Sequence, residues 1–81
     1  MYLEIITPDK KVFAGEVDAV QFPGANGSFE VLDMHAPLIS TLEKGRVRVA
    51  TKQGLEFFAV DGGVVEVLNN KIIVLAESVS V

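Results

Sequence analysis

His35 and the polar residues near it mark the part of this chain where catalytic chemistry would have to occur. His35 is the only histidine, and it stands in "FPGANGSFEVLDMHAPL", Phe22 to Leu38, together with two of the three prolines. A Ser–His–Asp triad would need this ring as its base, yet the sequence has no Gly-x-Ser-x-Gly elbow to present a nucleophile. We therefore interpret His35 as structural, held by backbone hydrogen bonds in a turn whose exit is fixed by Pro37.

Metal and phosphate sites are not indicated either. The chain has no cysteine, and Asp33 with His35 is an isolated i, i+2 pair that matches no zinc spacing. The stretches "GANG" and "GG" match neither of the common phosphate-binding loops, and nothing singles out one carboxylate pair for glycoside chemistry. The sequon Asn26-Gly27-Ser28 is better interpreted as a tight Asn-Gly turn. We expect no catalytic residue, no metal and no cofactor.

The composition narrows the class of partner. A formal net charge of −4 and scattered basic residues argue against nucleic acid, and no Trp with a single Tyr leaves few platforms for stacking bases. The start "MYLEIITPDKK" is not a signal peptide, and no apolar run reaches the roughly 18 residues of a membrane helix. These features predict a soluble protein of an internal compartment, with one domain over residues 1–81.

Turn-forming residues divide the chain at short intervals, which predicts an all-β sandwich or barrel without a helix longer than about two turns. The predicted strands begin with "YLEIIT", closed by Pro8-Asp9, and "EVDAVQF", which follows Gly15. In "RVRVAT", Arg46 and Arg48 face one way and the valines the other. That strand and "LEFFAV" form a hairpin with Gly54 in its loop. Gly62-Gly63 fits either a bulge with a close backbone neighbour or a flexible turn.

The last predicted hairpin has the most informative pattern. "VVEVL" and "KIIVLAE" are joined by Asn69-Asn70, both of which tolerate the left-handed backbone of a two-residue turn. In "KIIVLAE" one face carries Ile72, Val74 and Ala76, and the other carries Ile73 and Leu75. A domain this small cannot cover both faces itself, so we expect an exposed apolar patch that meets a partner protein.

Three stretches in order carry a resemblance to a known family: "LEIITPDKKVFAGEVDAVQFPGANGSFEVL", "HAPLISTLEKGRVRV" and "FAVDGGVVEV". They resemble the amino-terminal domain of the epsilon subunit of F-type ATP synthase, with its patterns "F-x-G-x-V", "PG-x-x-G", "HAP" and "GG-x-x-E-V". The resemblance covers nearly the whole chain. It implies a flattened two-sheet β-sandwich of about ten strands.

The same resemblance implies a non-catalytic rotor subunit that links the gamma subunit to the c-ring and so helps couple proton or sodium flow to ATP synthesis. It also implies a peripheral position at the cytoplasmic face of the bacterial inner membrane. Ser28 stands where the family usually has an acid that approaches the c-ring, and Glu30 is the nearest acid. Asp33-Met34 replaces a usual Pro-Gly, which predicts a different backbone path before His35. On this basis Ser28, Glu30, Asp33 and His35 are the candidate partner contacts.

Two further expectations concern the whole protein. The ending "LAESVSV" alternates Val79 and Val81 with serines and does not favour a helix, so we expect neither an inhibitory helical arm nor ATP binding. The alternative to a rotor subunit is a free-standing small-ligand-binding β-barrel module or enzyme. That alternative requires a concave polar pocket with converging titratable groups.

Overall fold

The computed structural model describes residues 1–80, and this part of the chain contains strands and no helix. The predicted all-β class is therefore confirmed. Val81, which entered the prediction of a non-helical ending, lies outside the described residues. The strands are β1 (Tyr2–Ile6), β2 (Lys11–Glu16), β3 (Ala19–Phe22), β4 (Phe29–Leu32), β5 (Leu38–Thr51), β6 (Gly54–Leu68), β7 (Lys71–Ala76) and β8 (Val79–Ser80).

One hydrogen-bonded sheet, in the order β2-β1-β7-β6-β5-β3-β4 with β8 on β6, folds over on itself to make two layers. The first layer contains β2, β1, β7, the second half of β6 and the first half of β5. The second layer contains β4, β3, the second half of β5, the first half of β6 and β8. The structure is thus the expected two-layer sandwich, but with eight strands instead of about ten. The number is lower because β5 and β6 each run through both layers as one continuous strand.

The fold-over point lies where β5 and β6 are interrupted together. Leu42 pairs with Gly63 and Lys44 with Asp61, while the Glu43 amide instead donates to the Pro23 carbonyl at 2.8 Å. Gly63 has φ +148°, and a Cβ there would collide with the Leu75 carbonyl oxygen and lie 3.0 Å from the Ala76 Cα. Of the two interpretations of Gly62-Gly63, the structure selects the close backbone approach.

Gly15 and Gly45 lie inside strands rather than in turns. Gly15 belongs to β2, whereas the predicted strand "EVDAVQF" began only after it. Gly45 belongs to β5, which makes "RVRVAT" the end of a 14-residue strand. A Cβ on Gly45 would lie 2.8 Å from the Pro23 Cβ, so glycine is needed there for close packing rather than for a turn.

The core lies between the two layers and is aliphatic apart from Phe22 and Phe58. Phe13 of β2 and Phe58 of β6 meet edge-on across the layers, with ring centroids 5.6 Å apart. No polar or charged residue within residues 1–80 is buried. The overall extents of 27 × 26 × 19 Å describe the flattened shape expected of two packed sheets.

Both predicted hairpins are present. Asn69 and Asn70 have φ of 52° and 60°, as a two-residue turn between β6 and β7 requires. Thr51 pairs with Gly54 across the β5–β6 turn, and Gly54 has φ +124°. These turns set the register of the strands that carry the surfaces described below.

Candidate functional site

The solvent side of the first layer carries a continuous apolar surface, which we call the outer apolar face. The strand register places its residues in adjacent rows, because directly paired residues project from the same side of a sheet. One row runs Val64, Leu75, Ile6, and the next runs Ile39, Glu66, Ile73. The outer apolar face consists of Ile6, Ile39, Val64, Leu68, Ile73 and Leu75, with Glu66 among them.

Large apolar side chains on this face are well exposed. Ile39 is 72% exposed and Leu75 is 55% exposed, whereas Ile72 and Val74 on the opposite side of β7 are fully buried. The predicted two apolar faces of "KIIVLAE" are therefore confirmed. Burying apolar surface is favourable by roughly 25 cal/mol per Å², so a partner that covered this face would gain binding free energy.

Two clefts adjoin the outer apolar face. One of about 310 Å³ lies at the ends of β1 and β7 and is lined by Ile6, Thr7, Pro8, Leu75, Ala76 and Glu77. The other, of about 340 Å³, lies at the β6–β7 hairpin and is lined by Glu66, Leu68, Asn69, Lys71 and Ile73. Both could receive a single side chain of a partner, since each borders exposed apolar residues.

The second layer has an outer surface of a different character, which the sequence analysis did not single out. Leu32 and Leu55 are 53% and 57% exposed there. The Arg46 guanidinium lies 4.4 Å from the centroid of the Phe57 ring, and a stacked pair of this kind is already partly satisfied within the domain. A signal was present in "LEFFAV", where Leu55 and Phe57 alternate with the buried Phe58 and Val60.

His35 is held by backbone groups, as predicted. Its amide donates to the Leu32 carbonyl at 3.1 Å, and its ring Nδ1 donates to the Ala36 carbonyl at 2.8 Å. Met34 just before it has φ 62°, a left-handed conformation that is uncommon for a side chain of this size. The Met34 amide donates to Asn70 Oδ1 at 2.8 Å, which ties this turn to the β6–β7 hairpin.

Asp33 is the centre of a small polar network. Its Oδ1 accepts from Asn70 Nδ2 at 3.0 Å and from the Met1 ammonium at 3.2 Å. The hydrogen bond from Asn70 and then the ammonium hold the pKa of the Asp33 carboxyl below its usual value of 3.8. Because hydrogen bonds and nearby positive charge favour the ionised form, Asp33 is a fixed anion at neutral pH.

The structure does not gather the four candidate contact residues into one site. Ser28 is exposed and precedes β4, after a turn in which the Gly27 amide donates to the Gly24 carbonyl at 3.0 Å. Asp33 follows β4, so about 16 Å of extended strand separates it from Ser28. Glu30 lies on the outer surface of the second layer, 3.5 Å from Arg48. Only Asp33 and His35 share one turn.

The remaining candidates for a site within residues 1–80 are a metal centre, a membrane helix and a third cleft. No group of three or more histidine, cysteine or carboxylate side chains is placed to hold a metal ion in this range, and no helix in it could span a membrane. A third cleft of about 360 Å³ is lined by Met1, Glu16, Val17, Asp18, Lys52 and Gln53. His35 lines none of the three clefts described here.

A family model described as "ATP synthase, Delta/Epsilon chain, beta-sandwich domain" matches residues 1–80. The chain belongs to this family. The ATP synthase epsilon chain of Chlorobaculum tepidum is 47% identical over 79 residues, covering 96% of this chain and 90% of its own length. That of Desulforamulus reducens is 49% identical over 78 residues, with 94% of this chain and 58% of its own length covered. The chain thus spans nearly all of some epsilon-chain relatives and little more than half of others.

Solved structures agree with this family on the fold. A chain in the mitochondrial ATP synthase of Euglena gracilis, a structure of OSCP, F1 and c-ring, superposes with a TM-score of 0.90 at 20% identity, over 96% of this chain and 51% of that one. A chain in the central stalk and c-ring of the Tetrahymena thermophila enzyme gives 0.86 at 16% identity, over 99% and 65%. At such identities the likeness shows the delta/epsilon sandwich fold alone. Membership in the ATP synthase delta/epsilon family rests on the family match.

Proposed function

We propose that this protein is a central-stalk subunit that joins the gamma subunit to the c-ring and supports coupling of ion flow to ATP synthesis. Within this role it catalyses no reaction and needs no cofactor, and it reaches the membrane only through the complex. The relatives named above are bacterial, which supports a position at the cytoplasmic face of the bacterial inner membrane.

The outer apolar face is the observation that carries this proposal. Ile39, Leu75 and their neighbours expose apolar area on one side of one layer, and exposed apolar side chains grouped in this way mark an interface in a folded domain. We assign this face to the gamma subunit, because it is flat, extends across four strands, and adjoins two clefts that can hold anchoring side chains.

The ends of the sandwich are the proposed c-ring contacts. The turn that leads to Ser28 is exposed at one end of β4, and the Asp33–His35 turn is at the other. The two turns are about 16 Å apart along β4, so each would contact a different loop of the c-ring. Asp33 is anchored by Asn70 and the Met1 ammonium, which favours a positioning role for it and leaves Ser28 as the more accessible contact.

A matched pair of substitutions tests the proposal. Leu75→Glu places a charge on the outer apolar face, and Leu55→Glu places one on the outer surface of the second layer; the two leucines are 55% and 57% exposed. Affinity for the purified gamma subunit is measured by calorimetry, with circular dichroism to show that each variant is folded. We expect Leu75→Glu to abolish detectable binding and Leu55→Glu to preserve it. Equal affinities for the two variants would exclude the outer apolar face as the gamma-binding surface.

A further inference from the structure

Glu66 is a charged residue at the middle of the outer apolar face, and its position there needs an explanation. It pairs directly with Ile39 on one side and Ile73 on the other. Val64 and Leu68, two residues away along β6, project from the same side and are 42% and 48% exposed. Glu66 is also the acid of the "GG-x-x-E-V" pattern, for which the fold gives no structural use.

No side chain of the domain neutralises Glu66. The ion pairs formed within residues 1–80 join Met1 to Glu16 and Asp33, Lys11 to Glu4, and Arg48 to Glu30. Lys71, which lies diagonally across from Glu66 in the register, has its ammonium 5.7 Å from the centroid of the Tyr2 ring. Within residues 1–80 the carboxylate of Glu66 therefore has no ion-pair or hydrogen-bond partner, and it is exposed to solvent.

Covering this face would remove that solvation. Transferring an ionised carboxylate from water into an interface is costly unless the carboxylate is paired and hydrogen-bonded there. A surface that buries Ile39, Leu68 and Ile73 must also bury Glu66, because they surround it. A partner that offered only apolar groups would consequently bind this face poorly.

The adjacent cleft indicates what the partner supplies. It has a volume of about 340 Å³ and is lined by Leu68, Asn69, Lys71 and Ile73 as well as Glu66. The Lys71 ammonium lies 5.7 Å from the centroid of the Tyr2 ring. The long apolar stem of a lysine or arginine can pack along such apolar walls while its charged end reaches a carboxylate. Arginine suits a buried carboxylate especially well, because its planar guanidinium can donate two parallel hydrogen bonds.

We propose that Glu66 determines partner specificity on the outer apolar face by pairing with a cationic side chain, arginine or lysine, that the gamma subunit inserts into the cleft beside Leu68 and Ile73. This inference rests on the proposed function of the face and adds its polar contact. The apolar residues supply affinity, and the charge pair fixes the register and rejects apolar surfaces that lack a cation.

The test compares Glu66→Gln with Glu56→Gln in the full chain. Both glutamates are exposed residues of β6, but Glu56 lies in the second layer, away from the outer apolar face. Gamma-subunit affinity is measured by calorimetry, and thermal unfolding shows whether each variant is folded. We expect Glu66→Gln to lower the affinity for gamma roughly 30-fold or more. This factor corresponds to the lower end of the cost of removing one member of a buried charge pair. Glu56→Gln should bind like the unsubstituted protein.

Two further variants separate the possible failures. Glu66→Lys should weaken binding more than Glu66→Gln, because it opposes the inserted cation, and a reciprocal acidic substitution in gamma should restore it. If Leu75→Glu abolishes binding while Glu66→Gln binds as well as or better than the unsubstituted protein, the face is correct and the cationic contact is refuted. If neither change alters affinity, the interface lies elsewhere and both proposals fail.

Discussion

Replacing Gly63 by alanine tests whether the fold-over of the sheet depends on a glycine at this position. Gly63 has φ +148°, and an added Cβ would collide with the Leu75 carbonyl oxygen and lie 3.0 Å from the Ala76 Cα. The atoms in the way belong to the backbone of β7, so no side-chain rotation can relieve the contact. A shift of β7 would also disturb Val74 and Ala76, which are buried in the core.

Two terms set the expected size of the effect. An L-residue forced into positive φ costs about 1–2 kcal/mol, and inserting a methyl group into a packed region costs about 1–3 kcal/mol more. Gly63→Ala should therefore lower the free energy of unfolding by roughly 2–5 kcal/mol. A domain of this size has only about 4–12 kcal/mol in total, so the midpoint of thermal unfolding should fall by roughly 8 °C or more.

Gly54→Ala is the matched control for this prediction. Gly54 also has positive φ, +124°, but nothing lies within 4 Å of the position of its Cβ. Urea titration followed by circular dichroism gives both free energies of unfolding under one set of conditions. We expect Gly54→Ala to show the backbone term alone and to be clearly milder. If the two variants were equally stable, the close approach of β6 to β7 at Gly63 would not be what requires glycine.

Three further predictions concern the turn that contains His35. Asp33→Asn should reduce stability at neutral pH. Because the pKa of Asp33 is lowered in the folded state, the carboxylate contributes its full stabilisation above the pKa of the unfolded chain, near 3.8, and loses it as pH falls further. The acid-unfolding curves of the two proteins should therefore converge below about pH 4. Asn70→Gly keeps the left-handed backbone but removes the bonds to Asp33 and Met34; hydrogen exchange at the Met34 amide should accelerate, whereas Asn69→Gly should leave it unchanged. His35→Ala should cost about 0.5–1.5 kcal/mol for its ring hydrogen bond, measured by urea titration, and hydrolytic activity that disappeared in this variant would contradict a structural role.

Alternation of side chains was sufficient to predict much of this protein. The period-two pattern of "KIIVLAE" predicted that both sides of β7 are apolar and that one is exposed. Which side is exposed came from the structure, where Ile72 and Val74 are buried and Leu75 is not. The Asn69-Asn70 turn was predictable because few residues tolerate positive φ at two consecutive positions. The ordered motifs identified the family, and the prediction that His35 is held by backbone hydrogen bonds matches those it makes to Leu32 and Ala36.

Tertiary structure alone decided where the sheet folds over and which residues meet there. Glycine is typical of turns, but Gly15 and Gly45 lie inside strands. Whether a glycine ends a strand or allows close packing depends on the residue that lies against it, such as Pro23 at Gly45. Likewise, Asp33 accepts a hydrogen bond from Asn70, which is 37 positions away in the sequence, and Ser28 is separated from Asp33 because β4 extends between them. In the sequence Glu66 is marked only as the acid of "GG-x-x-E-V". Its apolar surroundings are created when β5 and β7 place Ile39 and Ile73 on either side of it, because they depend on neighbours brought together by long-range pairing.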